Sequence, residues 1–170
     1  MEVNPGIKRT AAMVVLKNEE QLLLLRRNKM PNKDLYVPVG GKLDPHERPI
    51  DAAIRETKEE AGIELSKENI RFGGVLVESA PNDYNWQCYI YWAEIPYLPP
   101  PPCDEGTLEW IDFDQLSELP TPPTDWHIYQ YLARQKTFVM DALYDQNMQL
   151  LEMKEELEGI VLVSSPGHTA

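Results

Sequence analysis

One stretch of the chain, residues 40–63, constrains the structure more than any other, because its order is that of a loop, a helix and a helix end. Pro49 suits the first turn of a helix, where its missing N–H is not needed. Gly62 suits the left-handed position just past a helix end. No residue between the two breaks a helix, so the sequence predicts a helix that starts at Pro49 and stops before Gly62.

At about 100° per residue, this helix would carry two different faces. One face gathers three glutamates, although like charges at this spacing destabilise a helix by a few tenths of a kcal/mol per pair. The opposite face is mostly apolar and is predicted to face the core. Two alanines, residues 52 and 53, flank the acidic face, and their small side chains are expected to leave it open. The acidic face contains Glu56, Glu59 and Glu60, and the predicted core face contains Ile50, Ile54, Thr57 and Ala61.

The acidic face has two interpretations. It could be an ordinary solvated surface, which is common for charge runs on helices. It could also be a metal site, because Mg²⁺ prefers a few carboxylates together with waters and substrate phosphates. Gly40 and Gly41 would let the backbone approach an ion or a phosphate closely. Glu47 adds a fourth acid at the helix entrance, and Arg55 lies four residues before Glu59, close enough to pair with it.

These residues resemble the signature of the Nudix hydrolases, G-x5-E-x7-R-E-U-x-E-E-x-G-U, in which U is a bulky aliphatic residue. Thr57 is the one departure, and it lies on the predicted core face, away from the acids. The resemblance implies the Nudix fold, a mixed β-sheet sandwiched between α-helices, and the cleavage by water of a nucleoside diphosphate linked to another group. The matching residues are Gly41, Glu47, Arg55, Glu56, Glu59, Glu60, Gly62 and Ile63.

The resemblance also implies roles for individual residues. Arg55 would orient the acids through ion pairs. The group that takes the proton from the attacking water varies in the family, and we choose Glu59, with Glu105 as its rival. The implied ligands of Mg²⁺, or of Mn²⁺ in its place, are Glu56, Glu59, Glu60 and the carbonyl of Gly40.

Beyond the signature, the segment from Asp104 to Phe138 resembles the MutT-type branch, whose members hydrolyse oxidised purine nucleoside triphosphates. In that branch an acid at the place of Glu105 aids metal or water binding, and an acid at the place of Asp125 hydrogen-bonds the base. The alternatives are a loop acid at Glu105 and a plain helix cap at Asp125. Val37 stands where some members carry an asparagine that reads the purine, so a preference for 8-oxoguanine stays open.

A pair of arginines follows a strand that contains Leu22 to Leu25, a run expected for a strand covered on both faces. Arg26 and Arg27 could be edge charges, or one of them could contact phosphate, because arginine forks suit phosphate oxygens. We assign Arg26 to substrate binding. One or two aromatic side chains are expected to stack on a base. The candidates are Tyr84, Trp86, Tyr89, Tyr91, Trp92, Trp110 and Trp126.

The remaining hydrophobic pattern mixes strands and helices without strict alternation, which indicates an α/β or α+β domain with mixed strands. The proline-rich segment 97–103 is expected to be a stiff loop, and residues 149–158 fit a strand or a helix equally. A second helix is expected from Thr124 or Asp125 to about Gln135. The predicted strands are residues 9–16, 21–27, 69–79, 85–95, 108–113 and 138–144, with hairpins joining the first two and the next two.

Length and charge limit the remaining possibilities. A chain of 170 residues suggests one domain, at residues 1–163, followed by a flexible tail at 164–170. The net charge of −12 argues against a nucleic-acid polymer as partner, but not against a small phosphorylated ligand bridged by a metal. Cys88 and Cys103 form no C-x-x-C pair, which fits a reducing cytoplasm. No apolar run approaches the roughly 20 residues that a membrane helix needs.

Three functions stay open at this point. The resemblance favours a metal-dependent enzyme that converts a nucleoside triphosphate, canonical or oxidised, to a monophosphate and pyrophosphate. A nucleotide-sugar or ADP-ribose pyrophosphatase is the rival within the same chemistry. A catalytically silent domain that only binds a nucleotide or a protein is the alternative of another class, although self-repelling carboxylates argue against it. The partner is expected to be a small nucleotide derivative, with the protein a monomer or a homodimer.

Overall fold

The computed structural model describes residues 6–167, in which the strands form one mixed sheet. The helices are α1 (Pro49–Ala61) and α2 (Asp125–Ala133), with a 3₁₀ helix at Phe113–Glu118. The strands are β1 (Arg9–Asn18), β2 (Gln21–Arg27), β3 (Tyr36–Val37), β4 (Val39–Lys42), β5 (Arg71–Ser79), β6 (Trp86–Glu94), β7 (Pro102–Cys103), β8 (Gly106–Asp112), β9 (Phe138–Tyr144), β10 (Leu150–Glu155) and β11 (Ile160–Ser164).

The sheet runs in the order β11-β10-β9-β5-β6-β1-β2-β8-β7, and β4 and β3 extend it by pairing with β1 and β2. β1 pairs with β6 in parallel, as β5 does with β9, while the other pairs are antiparallel. Both predicted hairpins, β1-β2 and β5-β6, are confirmed. No helix within residues 6–167 is long and apolar enough to cross a membrane.

Helices cover both faces of this sheet, because successive side chains of a strand point to opposite faces. Ala12 and Val14 of β1 belong to the apolar cluster that contains α1 residues. Ala11 and Val15, which alternate with them, pack in clusters that contain α2 residues. The four leucines at 22–25 of β2 are all buried and divide between the two faces in the same way. The predicted mixed sheet between helices is therefore confirmed.

Helix α1 has the predicted ends, and its predicted core face is partly confirmed, because Thr57 and Ala61 are buried and Ile50 and Ile54 pack against the core cluster. It starts at Pro49, and Gly62 follows it with a φ of 63° in the left-handed region. Ala52 and Ala53 are fully buried, whereas Ile50 and Ile54 are only half-buried. Our expectation that these alanines leave the acidic face open was wrong. Their short side chains let the helix approach the sheet closely, and the acids beside them are brought against β4.

The aliphatic position of the signature is filled here by a buried hydroxyl. Thr57 is fully buried, and its Oγ1 donates to the carbonyl of Ala53 at 2.8 Å. A threonine can satisfy its hydroxyl this way within a helix. Thr57, the one departure from the signature, therefore faces the core as predicted, with its hydroxyl group hydrogen-bonded.

Outside α1, the structure differs from the sequence prediction in several short segments. The proline-rich segment ends in β7, a two-residue strand at the end of the sheet order, where missing N–H donors are tolerated. The ambiguous segment 149–158 contains β10, and the strand predicted at 108–113 gives way to the 3₁₀ helix at Phe113. Ser165 donates to the carbonyls of Leu150 and Leu151, so the hydrogen-bonded structure extends into the predicted tail. Residues 168–170 lie outside the described part.

The turn after β10 is organised by one buried carboxylate. Glu155 accepts backbone N–H groups from Val139 at 3.2 Å, Leu157 at 3.0 Å and Glu158 at 2.8 Å. Burial acts to raise the pKa of Glu155, but these donors outweigh it and hold that pKa below its ordinary value. A carboxylate with backbone donors on both oxygens explains why this segment stays in the sheet and turns sharply.

Glu155→Gln should lower the free energy of unfolding at pH 7 by about 1.5–3 kcal/mol, because an amide NH₂ would face an N–H donor. The folded pKa is depressed, so the stabilisation is complete above the unfolded pKa and is lost as pH falls through the folded one. The difference between wild type and variant should therefore shrink below about pH 4. Urea unfolding at pH 7 and pH 3 measures this. Glu158→Gln, on the same turn but exposed, is the control, and equal losses in both variants would contradict the assignment.

Candidate active site

The acidic face of α1 lies against the Gly40–Gly41 pair of β4. The N–H of Gly40 donates to Oε2 of Glu60 at 2.9 Å. A Cβ at Gly41 would collide with the carboxylate of Glu56, and a Cβ at Gly40 would collide with the backbone of β1. Glycine at position 41 lets Glu56 of the helix approach the strand closely, and glycine at position 40 lets β4 approach the backbone of β1.

Arg55 holds the acids of this face together. Its Nε and Nη2 each donate to Glu47 at 2.9 Å, and its Nη1 donates to Glu56 at 2.8 Å and to Glu59 at 3.2 Å. A further bond from Nη2 reaches the carbonyl of Lys42 at 3.1 Å. The hydrogen bonds to Glu47 raise the pKa of Arg55 above its ordinary value, and those to Arg55 lower the pKa of Glu47. The structure thus brings together the arginine and the acids that the signature selected.

The carboxylates of this site repel one another. Burial raises the pKa of Glu60 to about 7, and the charges of Glu56 and Glu105 add to that effect, while the Gly40 N–H and Arg27 oppose it. Within residues 6–167, no three His, Cys, Asp or Glu side chains are arranged to enclose a metal ion. Arg55 engages Glu47, Glu56 and Glu59, and the N–H of Gly40 engages Glu60. The donor set still fits a hard divalent cation, because it offers carboxylate oxygens whose repulsion such a cation would relieve.

A cavity of about 490 Å³ adjoins this site and shares residues Gly40–Lys42 of β4 with it. Its buried polar groups come from β5 and from the start of α2, and Val37 lies in its wall. Of the aromatic candidates, Tyr84 and Trp86 line it. The other lining residues are Arg9, Ala11, Met13, Arg27, Pro31, Asn32, Pro38, Leu76, Glu78, Asp83, Cys88, Pro122, Thr124 and Asp125.

The two arginines at the end of β2 have different surroundings. Arg27 lines the cavity, and its Nη2 lies 3.3 Å from Oε2 of Glu105. Lys29 pairs with the other oxygen of Glu105 at 3.0 Å. Arg26 is exposed and does not line the cavity. Neighbouring side chains on a strand point to opposite faces, so only one of the two can face the cavity. A role for Arg26 in substrate binding stays a prediction, and Arg27 has the location that such a role requires.

Asp125 is buried at the first position of α2 and lines the cavity. Neither it nor Thr124 makes a side-chain capping hydrogen bond, which disfavours the cap interpretation. Its carboxylate accepts hydroxyl groups from Thr124 and Tyr129, both at 3.4 Å. Burial raises the pKa of Asp125 to about 8, and the charge of Glu78 adds to the shift. The shift favours the protonated form of Asp125, which can donate a hydrogen bond.

Two features of the cavity were missed from the sequence. Glu78 is buried within it, on the same face of β5 as Leu76, and the alternation along that strand was a signal that could have found it. Trp86 has the guanidinium of Arg9 at 5.7 Å and the ammonium of Lys42 at 5.9 Å from its ring centroid. Both cations line the cavity with Arg27, and no short motif marks them.

The structure has a sheet between helices, a glutamate-rich helix that packs against the Gly-Gly pair of β4, and a ligand-sized cavity beside them. This combination defines an α/β domain of the Nudix type. The family model for the NUDIX domain matches residues 7–132, and the chain belongs to this family of hydrolases.

Relatives with known names support the same assignment. The chain is 27% identical over 124 residues to the Nudix hydrolase YvcI of Bacillus subtilis, covering 71% of this chain and 76% of that protein. It is 29% identical over 132 residues to a Mycobacterium tuberculosis protein named "Putative 8-oxo-dGTP diphosphatase 3", covering 75% of this chain and 61% of that protein.

Solved structures show the same fold. A MutT protein from Bacillus halodurans superposes with a TM-score of 0.76 at 22% identity, covering 88% of this chain and 98% of that one. The NUDIX domain of Shewanella oneidensis NrtR, solved with ADP ribose, gives a TM-score of 0.64 at 14% identity, covering 76% of this chain and 88% of that one.

Proposed function

We propose that this protein hydrolyses a nucleoside triphosphate to a nucleoside monophosphate and pyrophosphate in a Mg²⁺-dependent reaction. The observation that carries the proposal is the cavity of about 490 Å³ that is lined by Gly40–Lys42 of β4, beside the acidic helix. A base held in that cavity would direct its phosphates toward the carboxylates of α1. The similarity to a relative named for 8-oxo-dGTP hydrolysis supports the same substrate class.

The residues that would hold Mg²⁺, or Mn²⁺ in its place, are Glu56, Glu59, Glu60 and the carbonyl of Gly40. When bound, the cation would neutralise phosphate charge and lower the pKa of a bound water. Arg55 would hold the acids in fixed relative positions through its four hydrogen bonds to carboxylate oxygens.

Glu59 is the best candidate to accept the proton of the attacking water. Its side chain is 58% exposed, and among residues 6–167 its one hydrogen bond is to Arg55, so an oxygen remains available for water. Glu105, the rival, has both oxygens engaged by Arg27 and Lys29. Glu105 is therefore a better candidate for positioning Arg27, which lines the cavity, than for accepting a proton.

Cationic side chains complete the site on the cavity side. Arg9 and Arg27 are partly exposed, Lys42 is exposed, and all three line the cavity. Arginine forks and the lysine ammonium suit phosphate oxygens. They would bind the anionic part of the substrate while its base occupies the buried part of the cavity.

A substrate panel tests the proposal. With Mg²⁺ or Mn²⁺, canonical and oxidised nucleoside triphosphates should yield monophosphate and pyrophosphate, and excess EDTA should abolish turnover because the carboxylates alone would repel the phosphates. Product analysis by ion-exchange chromatography measures this. Cleavage confined to ADP-ribose or nucleotide sugars would replace the substrate class. Absence of cleavage of every compound in the panel would leave a binding domain and overturn the proposal.

A further inference from the structure

A buried carboxylate in the cavity has no part in the proposed hydrolysis. Glu78 of β5 is only 4% exposed, and its Oε1 and Oε2 accept hydroxyl groups from Tyr144 at 2.9 Å and Tyr84 at 3.3 Å. Each oxygen of a carboxylate can accept about two hydrogen bonds, so both retain capacity. Lys8 donates to the backbone carbonyl of Glu78 at 2.8 Å and to Ser79, and not to the carboxylate.

The charge of Lys8 acts on the Glu78 carboxylate without contacting it directly. Among residues 6–167, no lysine or arginine forms a salt bridge with its carboxylate. A buried charge without a counter-ion is costly to a fold unless hydrogen bonds satisfy it. Tyrosine donors satisfy it in part, and the neighbouring cavity wall offers apolar groups such as Leu76 and Cys88. The open acceptor sites of Glu78 therefore point to a ligand that brings N–H donors.

The two buried acids of the cavity differ in what they can offer. Burial raises the pKa of Glu78, and the Tyr144 and Tyr84 hydroxyl groups partly offset that effect. The pKa of Asp125, about 8, is raised first by burial and then by the charge of Glu78. A protonated Asp125 would offer the cavity one O–H donor, while the Glu78 oxygens offer acceptor sites beside the Tyr84 and Tyr144 hydroxyl groups.

We propose that Glu78 is a specificity-determining residue, which selects bases whose pairing edge carries adjacent N–H donors. A 2-amino-6-oxopurine edge presents a carbonyl, a ring N–H and an amino group in a row. Glu78 would accept from the ring N–H and the amino group, and Asp125 would donate to the carbonyl. The inference rests on the proposed function, because that function places the base in the cavity beside Gly40–Lys42 of β4.

The test compares GTP with inosine triphosphate, which lacks only the 2-amino group, in wild type and in Glu78→Gln. A site built to accept a buried N–H rejects an analogue that lacks it, so wild type should favour GTP in kcat/KM by about tenfold or more. Glu78→Gln should reduce that preference about tenfold through a higher KM for GTP, with kcat little changed. Glu94→Gln, an exposed glutamate at the end of β6, is the matched control and should keep the preference.

A binding measurement separates this inference from the proposed function. Calorimetry with GMP and inosine monophosphate needs no turnover, and the same loss of preference is expected in Glu78→Gln. If no triphosphate is cleaved but this preference exists and depends on Glu78, the proposed function fails and the role of Glu78 stands. An unchanged preference in Glu78→Gln, or an equal fall in kcat for both substrates, would overturn it. A circular-dichroism melt confirms that the variant is folded, and Glu78→Asp, which keeps the charge, should retain part of the preference.

Discussion

Replacing Glu59 by glutamine should lower turnover of a nucleoside triphosphate by about 100- to 10,000-fold while the fold persists. The change removes an anionic oxygen beside the phosphates and a group able to accept a proton from water, at nearly constant shape. Because Glu59 is 58% exposed and its bond to Arg55 is 3.2 Å long, its loss should cost the fold only about 0.5 kcal/mol or less. Steady-state kinetics at saturating Mg²⁺ and thermal melting measure the two quantities.

The chain offers a matched control for this variant. Glu64 lies three residues past the end of α1, is 77% exposed and pairs with Lys58 at 2.8 Å. Glu64→Gln therefore removes an exposed, paired glutamate close to the site without touching the acidic face, and its turnover should equal that of wild type. Unchanged turnover in Glu59→Gln would reject the role of Glu59. If Glu105→Gln instead lowered kcat while the KM for the triphosphate stayed unchanged, Glu105 would be the proton acceptor and would not act by positioning Arg27.

Features that depend on neighbouring residues could be predicted from the sequence. The start of α1 at Pro49 follows from the fixed φ of proline, and its end follows from the left-handed backbone that Gly62 adopts at a φ of 63°. The three-and-four spacing places Glu56, Glu59 and Glu60 on one face of any helix, whatever packs against it. The resemblance to the Nudix signature rested on such local spacing, and the sheet between helices that it implied is confirmed.

Features that depend on packing could not be predicted in the same way. The apolar pattern of α1 favours Ile50 and Ile54 as residues that face the core. The helix instead approaches the sheet most closely at the smaller Ala52 and Ala53, which are fully buried. Arg26 and Arg27 differ only in which face of β2 they occupy, and that depends on where the cavity lies. Glu78 meets Tyr144 across 66 residues of chain, through the parallel pairing of β5 with β9, and no short spacing records such a contact.

Arg55→Lys should both weaken metal binding and destabilise the protein, because one ammonium cannot replace a planar fork that contacts several acceptors. Glu47 and Glu56 have side chains only 14% exposed, and the variant would leave some of their oxygens without a donor. The expected loss in unfolding free energy is about 1–3 kcal/mol. The expected loss in Mg²⁺ affinity or turnover is about 10- to 100-fold, as for other groups that orient metal ligands.

A titration of turnover against Mg²⁺ distinguishes positioning from a purely structural role of Arg55. If Arg55 orients the acids, high Mg²⁺ should restore much of the lost turnover, whereas simple destabilisation would lower the active fraction at every Mg²⁺ concentration. Arg48→Lys is the control, because Arg48 is exposed, lies seven residues before Arg55 and, among residues 6–167, pairs with Asp51 alone, at 2.8 Å. Its melting temperature and Mg²⁺ dependence should match wild type. Arg55→Lys with an unshifted Mg²⁺ dependence would show that the acids hold their arrangement without the arginine, and the positioning role would be rejected.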